Sequence, residues 1–328
     1  MRLAAESDRT CAVRSDGSLW CWGREVVGRT EPAGFMKDHP PWIDERIVPR
    51  PAAIDGWSRL KSIALALDHD CAVIEGVGFC QGANTRFQLG DGTSAPRTLP
   101  VAVVGLGHVD EIGAGYEYSC ARSEGHVWCW GSNTRGQCGD DEREVVPTPT
   151  QVPGLRGARA LSLGHNHACA LLDNDTAHCW GDNQFGQLGS KTATSRSNPI
   201  PVPITGVRAL TAIHNHTAAI LADGTALGWG LNEPRHLLWS SCSAPQVGTL
   251  YADANRRREP IGSLKFCGAP SPLPGLVNVA QIVLGTDHVC ALLQNGQIWC
   301  WGTESYNIFG GPVPWGGSTP VRIEFSRD

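Results

Sequence analysis

Apolar residues along this chain come in runs of four or five positions, alternating with polar residues or continuous, and turn residues interrupt every run. Such runs are too short for helices and read as β-strands covered on both faces. From Pro147 to Gly189 four of them follow one another, at Thr150 to Val152, Ala158 to Leu163, Cys169 to Leu172 and Ala177 to Trp180. Aromatic-Gly or Gln-Gly anchors end at Gly23, Gly82, Gly131, Gly181, Gly230 and Gly302, so a unit of about fifty residues repeats six times. Four short antiparallel strands per unit predict an all-β fold, a β-propeller of six or seven four-stranded blades. No linker interrupts the repeats, which predicts a single domain over residues 1–328 with inserts at about 24–56 and 231–275. The N-terminus starts part-way into a unit and Thr319 to Ile323 supplies the missing piece, so the terminal segments are expected to pair and close the array.

Cysteines add a covalent layer. Five units carry a pair, Cys11 with Cys21, Cys71 with Cys80, Cys120 with Cys129, Cys169 with Cys179 and Cys290 with Cys300; the sixth has Ala218 and Gly228 at both positions. Residues lost together are expected to be bonded together. The spacing is one residue shorter where the turn is, at Glu75-Gly76 and Glu124-Gly125 rather than Ser15-Asp16-Gly17 and Gln294-Asn295-Gly296, so each pair faces across a hairpin. Opposed antiparallel residues lie roughly 4.5 to 5.5 Å apart at Cα, within reach of a disulfide. Zinc knuckles bring cysteines much closer in sequence, with further ligands beside them. Cys242 and Cys267 bracket most of the second insert and are expected to bond, whereas Cys138, at a leucine position of the repeat, is expected to be a buried thiol outside any bridge.

Charge narrows the partners. The formal net charge is −5 and the one basic run, Arg256 to Arg258, meets Glu259 at once, so neither nucleic acid nor an anionic membrane is an expected partner. No apolar stretch is long enough to span a bilayer, and repeat sequence begins within ten residues of Met1, so no signal peptide is read. Paired cysteines nevertheless imply an oxidising compartment, which predicts an extracytoplasmic protein whose export signal lies upstream.

The motif G-x-x-H-x-x-A-L followed by W-G-x-N-x-x-G-Q-L-G appears as Gly164, His167, Trp180, Gly181, Asn183, Gly186, Gln187, Leu188 and Gly189. It recurs at Asn84, Gln88, Leu89 and Gly90, and at Asn133, Gly136, Gln137, Cys138 and Gly139. These residues resemble the regulator of chromosome condensation repeat family, in its cysteine-rich bacterial type, related to the β-lactamase inhibitory propeller proteins. The resemblance implies a β-propeller, usually of seven blades, that binds other proteins. Small-GTPase regulation, known in the family, relies on a basic surface that this acidic chain lacks.

Two H-N-H runs, His165 to His167 and His214 to His216, raise a shared metal. His69, His167, His216 and His288, however, occupy one repeat position, where a structural hydrogen bond is the simpler role. No nucleophile elbow or phosphate loop is present, and Asp16 and Asp223 fit turn geometry. No catalytic residue, metal ligand or cofactor is therefore predicted. The loop before each second strand and the loop after each W-G leave an up-and-down blade at the same end. They carry Tyr116, Glu117, Tyr118, His165, Asn166, His214, Asn215 and Asp287, and Arg86, Phe87, Arg135, Phe185 and Tyr306. Aromatic and arginine side chains there favour recognition. The sequence thus predicts a monomeric, non-catalytic module binding a partner protein or a glycan through that face; the alternatives are a metal-dependent or enzymatic site at the centre, or a GTPase regulator.

Overall fold

The computed structural model describes residues 2–6, 9–26, 45–54, 57–190, 192–232, 246–248, 264–273, 275–285, 288–302 and 317–323. Strands are the only regular elements among them. The first blade is β1 (Arg2–Glu6), β2 (Arg9–Val13), β3 (Leu19–Val26) and β4 (Glu45–Ala53). The second is β5 (Leu60–Leu65), β6 (His69–Ile74), β7 (Val77–Gly82) and β8 (Arg97–Ala102), and the third β9 (Val109–Ala114), β10 (Tyr118–Ser123), β11 (His126–Ser132) and β12 (Val145–Gln151). The fourth is β13 (Ala158–Leu163), β14 (His167–Leu172), β15 (Ala177–Gly181) and β16 (Arg196–Pro201). The fifth has β17 (Val207–Ile213), β18 (His216–Leu221), β19 (Ala226–Leu231), a three-residue β20 (Gln246–Gly248) and β21 (Leu264–Pro272), with β20 added outside β21. The sixth is β22 (Val279–Leu284), β23 (His288–Leu293), β24 (Ile298–Gly302) and β25 (Gly317–Ile323). Among the described residues all pairing is antiparallel and the sheets number six.

The blades fall into two compact units, Met1–Thr134 with Glu142–Val152, and Arg135–Asp141 with Pro153–Asp328. In each unit the apolar cores lie between consecutive blades. Cys11, Val13, Leu19 and Cys21 pack with Leu60, Leu65 and Ala72 in the first unit. In the second, Leu171, Cys169 and Leu188 pack with Val207, Ala219 and Trp229, and Ile220 and Ala226 pack with Val279, Ile282 and Trp301. This explains the uninterrupted apolar runs, because both sheet faces are covered. Backbone bonds reinforce the stacking at the hairpin-turn end. The first strand of a following blade donates to the preceding turn, Leu60 N–H to Gly17 O at 3.1 Å, Val109 to Gly76 at 2.7 Å, Val207 to Asp175 at 3.0 Å and Val279 to Gly224 at 2.9 Å.

The turns follow the sequence reading. Glu75 and Gly76 have φ of 50° and 83°, and Glu124 and Gly125 of 53° and 73°, the paired positive angles of a two-residue turn. In the longer turns Asp16 accepts from the Ser18 hydroxyl and N–H and Asp223 from the Thr225 N–H, and those bonds hold both carboxyls below their usual range. All five predicted hairpin disulfides form, each with Cα atoms 4.1 Å apart, tighter than expected from strand geometry. Ala218 and Gly228 face each other in the same register without a bridge. Cys138 is buried outside the disulfides. Cys267 is disulfide-bonded, while its expected partner Cys242 lies outside the described residues.

Two expectations about boundaries are corrected. The strand that opens the sequence unit, β12 in the best-matched unit, pairs backward with β11 rather than forward with β13. The structural blade is therefore one strand out of phase with the sequence unit. For the same reason β1 and β25 do not share a sheet among the described residues: β1 pairs with β2 and β25 with β24, and each completes its own blade. Nor are the inserts wholly extra, since they contain the outer strands β4 and β21.

Every outer strand carries a proline at one register position, directly before the residue facing the second cysteine or Gly228: Pro51, Pro100, Pro149, Pro199, Pro270 and Pro320. Ile54, Val103, Val152, Val202 and Leu273, three residues beyond the first five, donate inward. Each of these prolines stands where the ladder shifts register, and each removes one backbone donor from its outer strand.

The Ala218 and Gly228 register makes a direct test. Ala218→Cys with Gly228→Cys should form a sixth bridge in the absence of reductant, read by non-reducing peptide mapping, and raise stability by at most about 2–3 kcal/mol. Either substitution alone should leave an alkylatable thiol and no gain.

Candidate functional site

The loops that carry the candidate residues are built on a repeated polar frame. Asn84 and Asn183 accept the Leu89 and Leu188 N–H at 3.0 and 2.9 Å, while their amide groups donate to carbonyls of the following loop. Gln88, Gln137 and Gln187 accept with Oε1 from the N–H of Arg86, Arg135 and Phe185. The turn so formed presents the glutamine carbonyl to a buried indole: Trp130 Nε1–H donates to Gln88 O at 2.9 Å, Trp180 to Gln137 O at 2.9 Å and Trp229 to Gln187 O at 2.8 Å. These three tryptophans are therefore structural, each held by a specific polar bond as well as by burial.

A second donor reaches two of these carbonyls. Ser119 Oγ donates to Gln88 O and Thr217 Oγ1 to Gln187 O, each at 2.9 Å. Those hydroxyls in turn meet His69 Nε2 at 2.8 Å and His167 Nε2 at 2.9 Å. In the second pair the threonine proton is committed to Gln187, so His167 Nε2 carries the proton it shares. The repeat histidines at 69 and 167 thus have the structural role expected of them.

In the first unit this relay continues into a constellation that sequence reading missed. Asp68 Oδ1 lies 2.9 Å from His69 Nδ1, completing an Asp68, His69, Ser119 arrangement with the connectivity of a hydrolase triad. Three features make it structural. Ser119 is fully buried and gives its proton to Gln88 O. Asp68 Oδ2 is held by Gln88 Nε2 at 3.0 Å. The corresponding relay of the second unit has Asn166 in place of the acid. The signal in the sequence was the D-H beside a hydroxyl one unit later, which only the stacking of blades brings together.

In four blades a backbone bond ties the two loops together. The residue after the anchor glycine donates to the loop before the second strand, Ala83 N–H to Asp68 O, Ser132 to Glu117 O, Asp182 to Asn166 O and Leu231 to Asn215 O, at 2.8 to 3.0 Å. A Cβ on Gly82, Gly131, Gly181 or Gly230 would lie within 2.6 Å of these same carbonyls, and φ near 100° excludes other residues as well.

The candidate side chains divide. In the first unit Tyr116 is 41% exposed, Arg86 is exposed with Nε 3.9 Å from Glu117 Oε2, and Phe87 is half-buried. In the second, Arg135 is exposed and the amide oxygen of Gln184 turns to its guanidinium, 2.6 Å from Nη1. His165 and His214 touch, with ring centroids 4.0 Å apart, and are half-buried beside Asn166 and Asn215. Those asparagines accept from Gln137 and Gln187 at 3.4 and 3.5 Å, so they belong to the frame. Two candidates are corrected. Tyr118 is fully buried, because it occupies the inward position of His69 and His167 at the start of the second strand. Phe185 is buried against Phe266 and Leu231, because the outer strand of the fifth blade is extended by the insert. Asp287 and Tyr306 lie outside the described residues. Among the described residues no three His, Cys, Asp or Glu side chains are grouped to hold a metal.

Stacked four-stranded antiparallel blades, stapled within their hairpins and joined by glutamine-to-indole bonds, define a disulfide-rich β-propeller protein. Residues 124–171 and 174–220 match the Regulator of chromosome condensation (RCC1) repeat, and residues 109–137, 158–187 and 279–308 match a second model of the same repeat. The chain thus contains regulator of chromosome condensation repeats over residues 109–220 and 279–308. Among solved structures, that of yeast RCC1 (Prp20) bound to Kap60 aligns with TM-score 0.76 and 20% identity, covering 99% of this chain and 75% of that one. Prp20p from Saccharomyces cerevisiae, whose binding to Gsp1p and histones was studied, aligns with TM-score 0.76 and 21% identity over 99% and 76% of the two chains. Human WBSCR16 aligns with TM-score 0.69 and 18% identity over 98% and 81%. These likenesses show the fold. No curated protein matches the chain.

Burial pushes the His167 imidazole down to about 3, with His216 and His165 adding repulsion, and burial lowers His165 and His178 also. An unfolded histidine binds its proton near its ordinary value, so as pH falls from about 6.5 to about 3 only the unfolded chain gains it, and stability falls across that window. Urea unfolding should show a loss on the order of 5 kcal/mol from His167 in the acid limit; His167→Gln should flatten this slope. Ser119→Ala should cost about 1–3 kcal/mol, and a fluorophosphonate should leave the native protein unlabelled.

Proposed function

We propose that this chain is a single-domain, non-catalytic interaction module of six blades that binds a partner protein through the paired loops, with the first-unit residues Arg86, Phe87, Tyr116 and Glu117 at its centre. Phe87 carries the reading. Its φ is 64°, where Gly136 and Gly186 hold the same place in their repeats at 78° and 73°. A phenylalanine in the left-handed region costs on the order of 1 kcal/mol, and such strain persists where a side chain is needed. Glu117 at 58° and His214 at 46° are held in the same way. Beside Phe87 stand an exposed tyrosine and an arginine, the residue types that dominate binding hot spots.

Support for a protein as the partner comes from the titles of the similar structures, which pair yeast Prp20 with Kap60, Gsp1p and histones. The acidic charge of this chain sets its own partner apart from nucleic-acid-bearing ones. Five hairpin disulfides favour an extracytoplasmic location, as expected of a secreted bacterial protein. A monomer is the expected state, and a glycan is the other ligand class the face would suit.

Affinity capture with the oxidised protein, followed by mass spectrometry, identifies the partner. Tyr116→Ala and Arg86→Ala should each weaken its binding by about 1–2 kcal/mol, whereas Ser15→Ala and Gln294→Ala in the hairpin turns should not. Phe87→Gly separates binding from folding. It should hold or raise stability by up to about 1 kcal/mol through relief of strain, while weakening binding. A loss of stability with binding intact would make Phe87 a packing residue and overturn the reading.

A further inference from the structure

Arg86 and Arg135 hold the same place in their repeats, two residues before the glutamine that accepts the backbone N–H of each. Both are exposed, yet their charges are answered differently. Arg86 has a carboxylate of its own, Glu117 Oε2, 3.9 Å from Nε. Arg135 has a neutral acceptor: the amide oxygen of Gln184, on the corresponding loop of the next blade, lies 2.6 Å from Nη1 and 3.1 Å from Nη2. Among the described residues no carboxylate forms an ion pair with Arg135, although Asp140 and Asp141 follow on its own loop. Asp141 accepts instead from Asn198 Nδ2 at 3.2 Å. Arg135 is thus pinned at its backbone and at its head group while it remains exposed.

We propose that Arg135 is the charge-reading residue of the loop face and that the partner is a protein bringing an Asp or Glu side chain to it, with Gln184 as the positioning residue. This rests on the loop face being the binding surface. A partner seated there takes water away from Arg135. A guanidinium covered beside only a neutral amide is strongly destabilised, and a carboxylate accepting two parallel N–H bonds is the group that offsets the loss. Arg86 makes no such demand, because Glu117 is covered with it. Gln184 occupies the fork between Nη1 and Nη2, which leaves Nε–H and the outer N–H bonds of Arg135 for a carboxylate approaching side-on. Holding the guanidinium in advance reduces the side-chain entropy lost on binding and fixes the direction of approach. The net charge of −5 would by itself favour a basic partner, which Arg135 repels at the point of contact.

Random peptides displayed on phage and panned on the oxidised protein supply the probe. Enriched sequences should share an Asp or Glu, and a synthetic copy should bind about tenfold more weakly or worse when that residue becomes Asn or Gln, or when Arg135 becomes Gln. Arg135→Glu should turn the shared residue to Lys or Arg. Gln184→Glu tests positioning, because it supplies a carboxylate from within the chain. It should weaken the acidic peptide as much as Arg135→Gln does, whereas a Gln184 that merely packs would leave the acidic preference in place. Enrichment of basic or uncharged peptides, acidic peptides indifferent to Arg135, no enrichment above a blank surface, or retention of sialylated glycans in place of peptides would overturn the proposal. The face itself is judged separately with the captured partner. A partner sensitive to Tyr116→Ala and Arg86→Ala but not to Arg135→Gln leaves the face standing and sinks the carboxylate; one insensitive to all three sinks the face.

Discussion

A backbone carbonyl aimed at the next indole sets the terms for the rest of this architecture. Gln88, Gln137 and Gln187 each present one to a tryptophan that is fully buried. A buried carbonyl left unsatisfied costs about 1–3 kcal/mol, and a buried indole N–H a similar amount, so neither position varies alone. The repeat motif becomes intelligible as the apparatus that aims this carbonyl. Asparagine caps the turn, the glutamine side chain folds back onto the N–H two residues before it, and the leucine fills the core between blades. The relay from His69 through Ser119, and from His167 through Thr217, adds a second donor where the next blade offers a hydroxyl. Ala168 stands at the corresponding position and cannot donate.

What was legible in the sequence was local. The hairpin turns and the cysteine register involve residues within about a dozen positions of each other, and turn chemistry alone fixes which side chains face. The phase of the blade was not local. Strand β12 is joined to β13 by a short P-G-L-x-G stretch and to β11 by a long loop, and short connections ordinarily mean adjacency. Here the short connection crosses between blades, while the long loop doubles back after displaying N-x-x-G-Q. A period can be counted from sequence, but a circular shift of its boundaries changes nothing that can be counted.

The candidate face shows the same division. Loop positions were read correctly from the up-and-down pattern, and the bonds from Ala83, Ser132, Asp182 and Leu231 hold each pair of loops together. Tyr118 could have been excluded by alignment with His69 and His167, because one register position points one way in every blade. Phe185 could not, since the side chains that cover it come from Leu231 and from Phe266, beyond an insert of unpredictable course. Strain at Phe87 was equally hidden. It emerges only when three repeats are compared at one backbone angle.

The outer prolines bear on how such a frame meets other molecules. An exposed strand edge offers main-chain donors to any extended peptide, and six such edges would invite strand addition and aggregation. Pro100, Pro149 and Pro199 each remove a main-chain donor from their outer strand and stand at a shift of register, and Pro51, Pro270 and Pro320 repeat the arrangement. The exception is instructive: β21 extends past its prolines at Leu264 to Phe266, and there a fifth strand, β20, adds from the same chain. With the guarded edges closed to backbone pairing, recognition falls to side chains, and the side chains free to vary without disturbing the glutamine-to-indole frame are those of the loops.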